Sequence, residues 1–232
     1  MPQLDESVMI KSLGSTYWRW IQYQEKALWC WNATGSFAMP LNTPEPPGRI
    51  RDETRSHLGQ IARASGDGPK LLGEIALDDV EVSTPHQVFA LLVRDIEAGA
   101  GLETAQPVGW RFLLESGGNV LAGAEVSETP ERTFPPTFYR SSSVGATATA
   151  VKAARALPQL QLARFDLRLL RIPELYQIAL WLHSPNTDLL IPLTPSPIGR
   201  EGQVTPPPVF FRELTTRARD YRARQPRDRE PA

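Results

Sequence analysis

Proline placement constrains this chain more than any other feature. Its 22 prolines include two dense runs, MPLNTPEPPG from Met39 to Gly48 and TPSPIGREGQVTPPP from Thr194 to Pro208. Each proline fixes φ and removes a backbone donor, so neither run suits a helix interior or a central strand. Both read as extended connections. They divide the 232 residues into an aromatic front segment, a large middle and a C-terminal helix. The division predicts an N-terminal segment with its linker over 1–48 and a poorly defined connecting region over 49–79. A folded domain follows over 80–224, with a disordered tail over 225–232. A folded part of that size can bury a core without disulfide or metal.

Within the middle, apolar spacing sets the elements. Thr84 before Pro85 has the pattern of a helix N-cap with proline in the first turn, and Val88, Leu91, Leu92 and Ile96 follow at helical spacing until Gly99. Residues 108–115 and 119–126 flank Ser116-Gly117-Gly118 and predict a β-hairpin. Alanine-rich residues 143–156 predict a helix ending before Pro158. Three strands are then expected. In 163–170, Phe165, Leu167 and Leu169 alternate with Arg164, Asp166 and Arg168; 175–182 is almost entirely apolar; 188–193 returns after a turn at 183–187. Pro192 near the end of the last strand favours a sheet edge. Residues 210–224 close as an amphipathic helix. The fold class is therefore α+β, an antiparallel or mixed sheet of about five strands with helices packed on one face.

Charge and composition exclude several functions. A formal charge of −1 argues against nonspecific nucleic-acid binding, and no nucleic-acid partner is expected. A single cysteine cannot close an internal disulfide, and histidines at 57, 86 and 183 make no metal-ligand cluster, so neither cofactor nor metal is expected. His57 four residues after Glu53 is a two-ligand pair at most, or a solvated helix face. No 18-residue apolar stretch occurs, so no membrane span is expected. The N-terminus lacks the pattern of a secretory signal, and a cytoplasmic location is expected. Lysine occurs only at 11, 26, 70 and 152, an arginine bias that resembles the composition of high-GC bacteria.

One local pattern carries chemistry. Gln24-Glu25-Lys26-Ala27-Leu28-Trp29-Cys30-Trp31 resembles the opening of papain-like cysteine peptidases, particularly bacterial members beginning Q-E-x-x-x-W-C-W. That resemblance implies Cys30 as nucleophile, its thiolate favoured at a helix N-terminus, and Gln24 as donor to the oxyanion. His86 is then the candidate base. The other reading of Cys30 is a small buried residue in an aromatic cluster, since residues 16–31 hold four of the six tryptophans. His86 otherwise reads as a helix first-turn residue facing solvent, and His183 as a turn residue with Asn186 and Asp188 as possible orienting groups.

Residues 82–222 carry a second resemblance, through Pro107-Val108-Gly109-Trp110-Arg111, Ala124-Glu125-Val126 and the run from Leu169 to Leu182. They look like an uncharacterised bacterial α+β domain encoded beside papain-like peptidases. No activity comes with it. Trp110, Tyr176 and Trp181 read as core or interface aromatics. Arg111, Arg168 and Arg171 read as a solvated sheet face or a partner groove. Taken together, these readings predict a non-catalytic accessory or interaction domain, with a protein partner or self-association. The alternative is a papain-like thiol hydrolase using Cys30.

Overall fold

The computed structural model describes residues 41–64, 79–161 and 163–224. The strands are β1 (Glu81–Ala90), β2 (Gln106–Ser116), β3 (Asn119–Ser127), β4 (Thr137–Tyr139), β5 (Asp166–Ile172), β6 (Gln177–Ser184) and β7 (Thr187–Pro192). The helices are α1 (Gly48–Ala64), α2 (Val93–Glu97), α3 (Ser142–Arg155) and α4 (Pro207–Arg224).

The predicted hairpin is β2–β3. Gly117 and Gly118 occupy the two turn positions with φ of 55° and 79°, the left-handed values that match the twist of the strands. The three predicted strands of the second half are β5, β6 and β7, paired antiparallel in sequence. β7 lies at the sheet edge, with Pro192 at its end as expected. Thr205 covers part of that edge, exchanging backbone hydrogen bonds with Leu190 at 2.7 and 3.1 Å.

The fold is α+β, but the sheet has seven strands in the order β4-β3-β2-β1-β5-β6-β7. Two elements make the difference from five. β4 is a three-residue strand inside a proline-rich stretch, too short to show a periodic pattern. β1 is the segment whose Thr84-Pro85 pair predicted a helix. Proline is tolerated here because β1 bulges: Thr84 and Pro85 together stand opposite one residue of β2, between the pairs Ser83↔Leu113 and His86↔Arg111. On the other flank β1 runs parallel to β5 only from Gln87↔Arg168 onward. The position level with Pro85 is taken by Asn42, whose N–H donates to Phe165 O (2.8 Å) and whose C=O accepts from Leu167 N–H (2.7 Å). A residue from the first proline run thus supplies the ladder bonds that Pro85 cannot make. The helix that was expected from Pro85 shrinks to the five residues of α2.

Helices pack on both faces, not on one. On the first face Val144, Thr147, Val151 and Ala154 of α3 are buried, and its Ala150, Val151 and Ala154 pack with Val88, Leu169, Leu180, Leu182 and Ile191. On the second, α4 buries Phe210, Leu214 and Ala218 at four-residue spacing with α2 against Phe89, Leu170, Trp181 and Leu190. α1 lies within the stretch expected to be poorly defined. It buries Ile50 and Leu58 with Trp110, Phe112, Leu114 and Ala124, and Thr54 satisfies its hydroxyl on Ile50 O at 2.7 Å. Each such aliphatic or aromatic side chain contributes about 1.5–3 kcal/mol on burial. The second proline run ends as the start of α4, because first-turn positions need no N–H.

Candidate functional site

Gln24 and Cys30 lie outside the described residues. His86 lies in the central strand β1, fully buried and level with Arg111, not in a solvent-facing helix turn. His57 sits on α1 with its Nδ1 3.1 Å from Glu53 O, in position to donate to that carbonyl. Among the described residues no group of three or more histidine, cysteine or carboxylate side chains is placed to hold a metal.

Among the described residues, polar side chains gather on both faces of the sheet. On the α3 face Glu125 is the centre. Its Oε1 accepts from Arg111 Nε (2.7 Å), Tyr139 OH (2.7 Å) and Arg171 Nη2 (2.6 Å), and the same Nη2 lies 2.8 Å from Oε2. Arg111 is only 1% exposed, so it is no solvated arginine. Its Nη1 reaches Thr147 Oγ1 of α3 at 3.5 Å. Burial pushes the Glu125 carboxyl up, but the Arg111 and Arg171 charges and the hydrogen bonds from Tyr139 and Arg171 outweigh it and hold the group below its ordinary value. Tyr139 is shifted upward, by burial first and by the adjacent carboxylate. This arrangement keeps Glu125 ionised and Tyr139 protonated. It fixes four strands and, through Thr147, α3 to one another.

On the α4 face the side chains are Arg168, Trp181, His183 and Asp188, from three adjacent strands. Asp188 Oδ1 accepts the Trp181 indole N–H at 2.7 Å and lies 2.8 Å from His183 Nδ1. The turn is at Pro185-Asn186, so His183 is a strand residue and Asp188 is its direct cross-strand partner. The sequence pairing of His183 with Asp188 is realised; Asn186 is in the turn. Arg168 stacks over Phe89 and Trp181, its guanidinium carbon 4.9 Å from each ring centroid. Burial weakens its hold on the proton, opposed by Asp166 and Asp188, and it stays charged.

Asp188 also lines a cavity of about 330 Å³ between the loop after α2, the start of α4 and the start of β7. Ile96, Leu102 and Phe211 form its apolar wall, and Glu103 shares its lining with Asp188. This volume lies at the low end of the range of small-ligand sites. Replacing Trp181 by phenylalanine keeps a ring beside Phe89 but removes the donor to Asp188. The expected loss is about 1–2 kcal/mol of stability, read from the urea midpoint, with His183 left to orient the carboxylate.

Sequence reasoning missed Glu125 and Glu103. Glu103 follows Gly101-Leu102 in a loop with no periodic signal. Glu125 was in view only as part of an apolar strand, and its partners depend on register. Comparison of the chain with family models, curated proteins and solved structures finds no match.

Proposed function

We propose that the chain is a non-catalytic accessory domain of the bacterial cytoplasm that binds a protein partner or a second copy of itself. Tyr176 carries this reading. It is 86% exposed at the corner between β5 and β6, and its φ of 52° places a non-glycine residue in the left-handed region. Such a conformation costs about 1 kcal/mol or more for an ordinary residue. Here it turns a large aromatic outward from a corner whose Leu175 packs into the core. Aromatic side chains presented on rigid supports are the usual anchors of protein interfaces, tyrosine among them. The buried charges support the same reading, because the Glu125 cluster spends its groups on one another.

The test is a photo-crosslinking residue placed at position 176 of the full chain in a bacterial host, with sedimentation velocity on the purified protein. One discrete crosslinked species, or concentration-dependent association lost in Tyr176→Lys, is the expected outcome. A monomer at all concentrations with no crosslink at 176 overturns the reading. The opposing class, a thiol hydrolase built on Cys30, Gln24 and His86, needs the histidine to activate the thiol. On the interaction reading, labelling of Cys30 by a thiol probe near neutral pH has the same rate in His86→Gln as in the wild type, measured on folded protein. A large fall in rate supports the hydrolase instead. No helix of the described residues is long and apolar enough to cross a membrane.

A further inference from the structure

We propose that the cavity at the start of α4 binds a primary amine bearing an apolar group, its ammonium on Glu103 and Asp188 and its apolar part on Ile96, Leu102 and Phe211. The site lies apart from Tyr176, and its failure leaves the interaction reading untouched.

The start of a long helix ordinarily favours an anion, through its unsatisfied N–H groups. This one does not. α4 begins Pro207-Pro208, which have no N–H, and the next two N–H groups, of Val209 and Phe210, both donate to Pro206 O at 3.0 and 3.1 Å. With those donors spent, the charged groups lining the cavity are carboxylates.

Both carboxylates are held in place before any ligand arrives. The two partners of Asp188, Trp181 and His183, meet the same oxygen, Oδ1, which sets the plane of the group and leaves Oδ2 outside those two bonds. Glu103 folds back over its own loop, where Oε1 accepts Gly101 N–H at 2.7 Å. A Cβ at position 101 would stand 2.6 Å from Glu103 Oε2, so glycine there is what gives the carboxylate its closest fit over the backbone. The hydrogen bonds from the backbone N–H of Gly101 and of Glu103 itself hold the carboxyl below its ordinary value. It is therefore ionised at neutral pH. Arg168 acts on Asp166 as well as Asp188, so its single positive charge is shared between two carboxylates. Preorganised groups lose little entropy on binding, which favours recognition of a small cation.

Depth decides what the cation carries. Ile96 and Leu102 are buried at 1% and 8% exposure and Phe211 is half-buried, whereas Glu103 is exposed and Asp188 retains about a quarter of its side-chain surface. The apolar wall is thus the floor and the carboxylates the rim. A lone metal ion or ammonium would leave the floor unused, and a neutral hydrocarbon would leave the rim unpaired. An alkyl or arylalkyl amine uses both, either free or as the N-terminal residue of a peptide.

The experiment is an amide NMR titration of the full chain with n-hexylamine, followed at Gly99, Gly101 and the Trp181 indole N–H. Hexanol and hexanoate are the neutral and anionic comparisons. Hexylamine is expected to shift these signals saturably and hexanol to bind about tenfold more weakly, the scale of one charge-assisted contact. Glu103→Gln and Asp188→Asn are each expected to weaken hexylamine about three- to tenfold. Glu103 is exposed, so its variant tests the site without risk to the fold. A second arm compares the peptide Leu-Gly-Gly with its N-acetyl form: saturable binding of the free amine alone assigns the site to peptide N-termini, and binding of hexylamine alone assigns it to free amines. Equal binding of hexanol and hexylamine, indifference to both substitutions, or no shift at the three reporter signals overturns the proposal.

Discussion

Glu125→Ala is expected to destabilise the fold by about 3–5 kcal/mol, a large part of the total for a domain of this size. The reason is what it leaves behind. Arg111, at 1% exposure, keeps its guanidinium inside the protein, reaching Thr147 Oγ1 only at 3.5 Å. Tyr139 loses its acceptor as well. Arg171 is about a third exposed and can turn to water, so it adds less. Urea unfolding measures the loss. The control is the pair Arg111→Met with Glu125→Met, expected to recover most of it, since replacing a buried ion pair by apolar groups is often neutral. If Glu125→Ala unfolds within 1 kcal/mol of the wild type, about the worth of an ordinary exposed pair, the cluster is a surface feature and not a buried brace.

The same carboxylate sets a pH dependence. Its value in the folded chain is depressed below the ordinary 4.5. A group depressed on folding stabilises fully above its unfolded value, and that contribution is lost as pH falls through the folded one. Wild-type stability therefore falls below about pH 4 more steeply than that of Glu125→Gln, which has no proton to take up there. Melting temperatures across the acid range distinguish the two.

How much of this was readable in advance is shown by Glu125 itself. From the Gly117-Gly118 turn, a straight count outward puts Ala124 opposite Arg111 and Glu125 on the other face. An irregularity between the pairs Leu114↔Ala122 and Glu115↔Val120 shifts the count by one, and Glu125 arrives opposite Arg111. No residue type marks that extra position, so the hairpin could be read and its ion pair could not. His86 failed for a related reason. Thr84-Pro85 satisfies the local preferences of a helix start, and only the tertiary context, Asn42 standing level with Pro85, makes a strand there workable. By contrast, β5 and α4 were readable from their apolar period, and β6 and β7 as short apolar runs bounded by turns. His183 itself reads as a turn residue with Asn186 and Asp188 as possible orienting groups; the turn closes at Ser184↔Thr187, so Asp188 faces it across the strands and Asn186 does not. A tight turn between two readable strands fixes which residues face each other. The cavity's second carboxylate, Glu103, sits in an aperiodic loop and left no trace in the pattern.

Gly109→Ala is expected to prevent folding or to cost at least about 3 kcal/mol, the range of substitutions that force backbone movement. The position lies in β2, where a glycine is ordinarily a weak choice that signals a bulge or a close approach. Both hold here. Its φ is +147°, and β1 shifts register beside it, between Val88↔Gly109 and Phe89↔Pro107. A methyl group would stand 2.1 Å from Val126 O and 2.9 Å from Ser127 Cα, both backbone atoms of β3. No rotamer change relieves a backbone clash, so β2 and β3 must separate at their far end. Trp110 and Val126, a buried pair of the core under α1, would separate with them. Arg111 is the next residue along, so the Glu125 cluster loses its alignment too. Gly118→Ala is the comparison: its φ of +79° carries the left-handed penalty, but nothing lies within 4 Å of the added atom. It should cost about 1–2 kcal/mol. Thermal melts of the two variants separate backbone strain alone from strain plus collision, and similar melting temperatures would mean that the β2–β3 approach at Gly109 gives way easily.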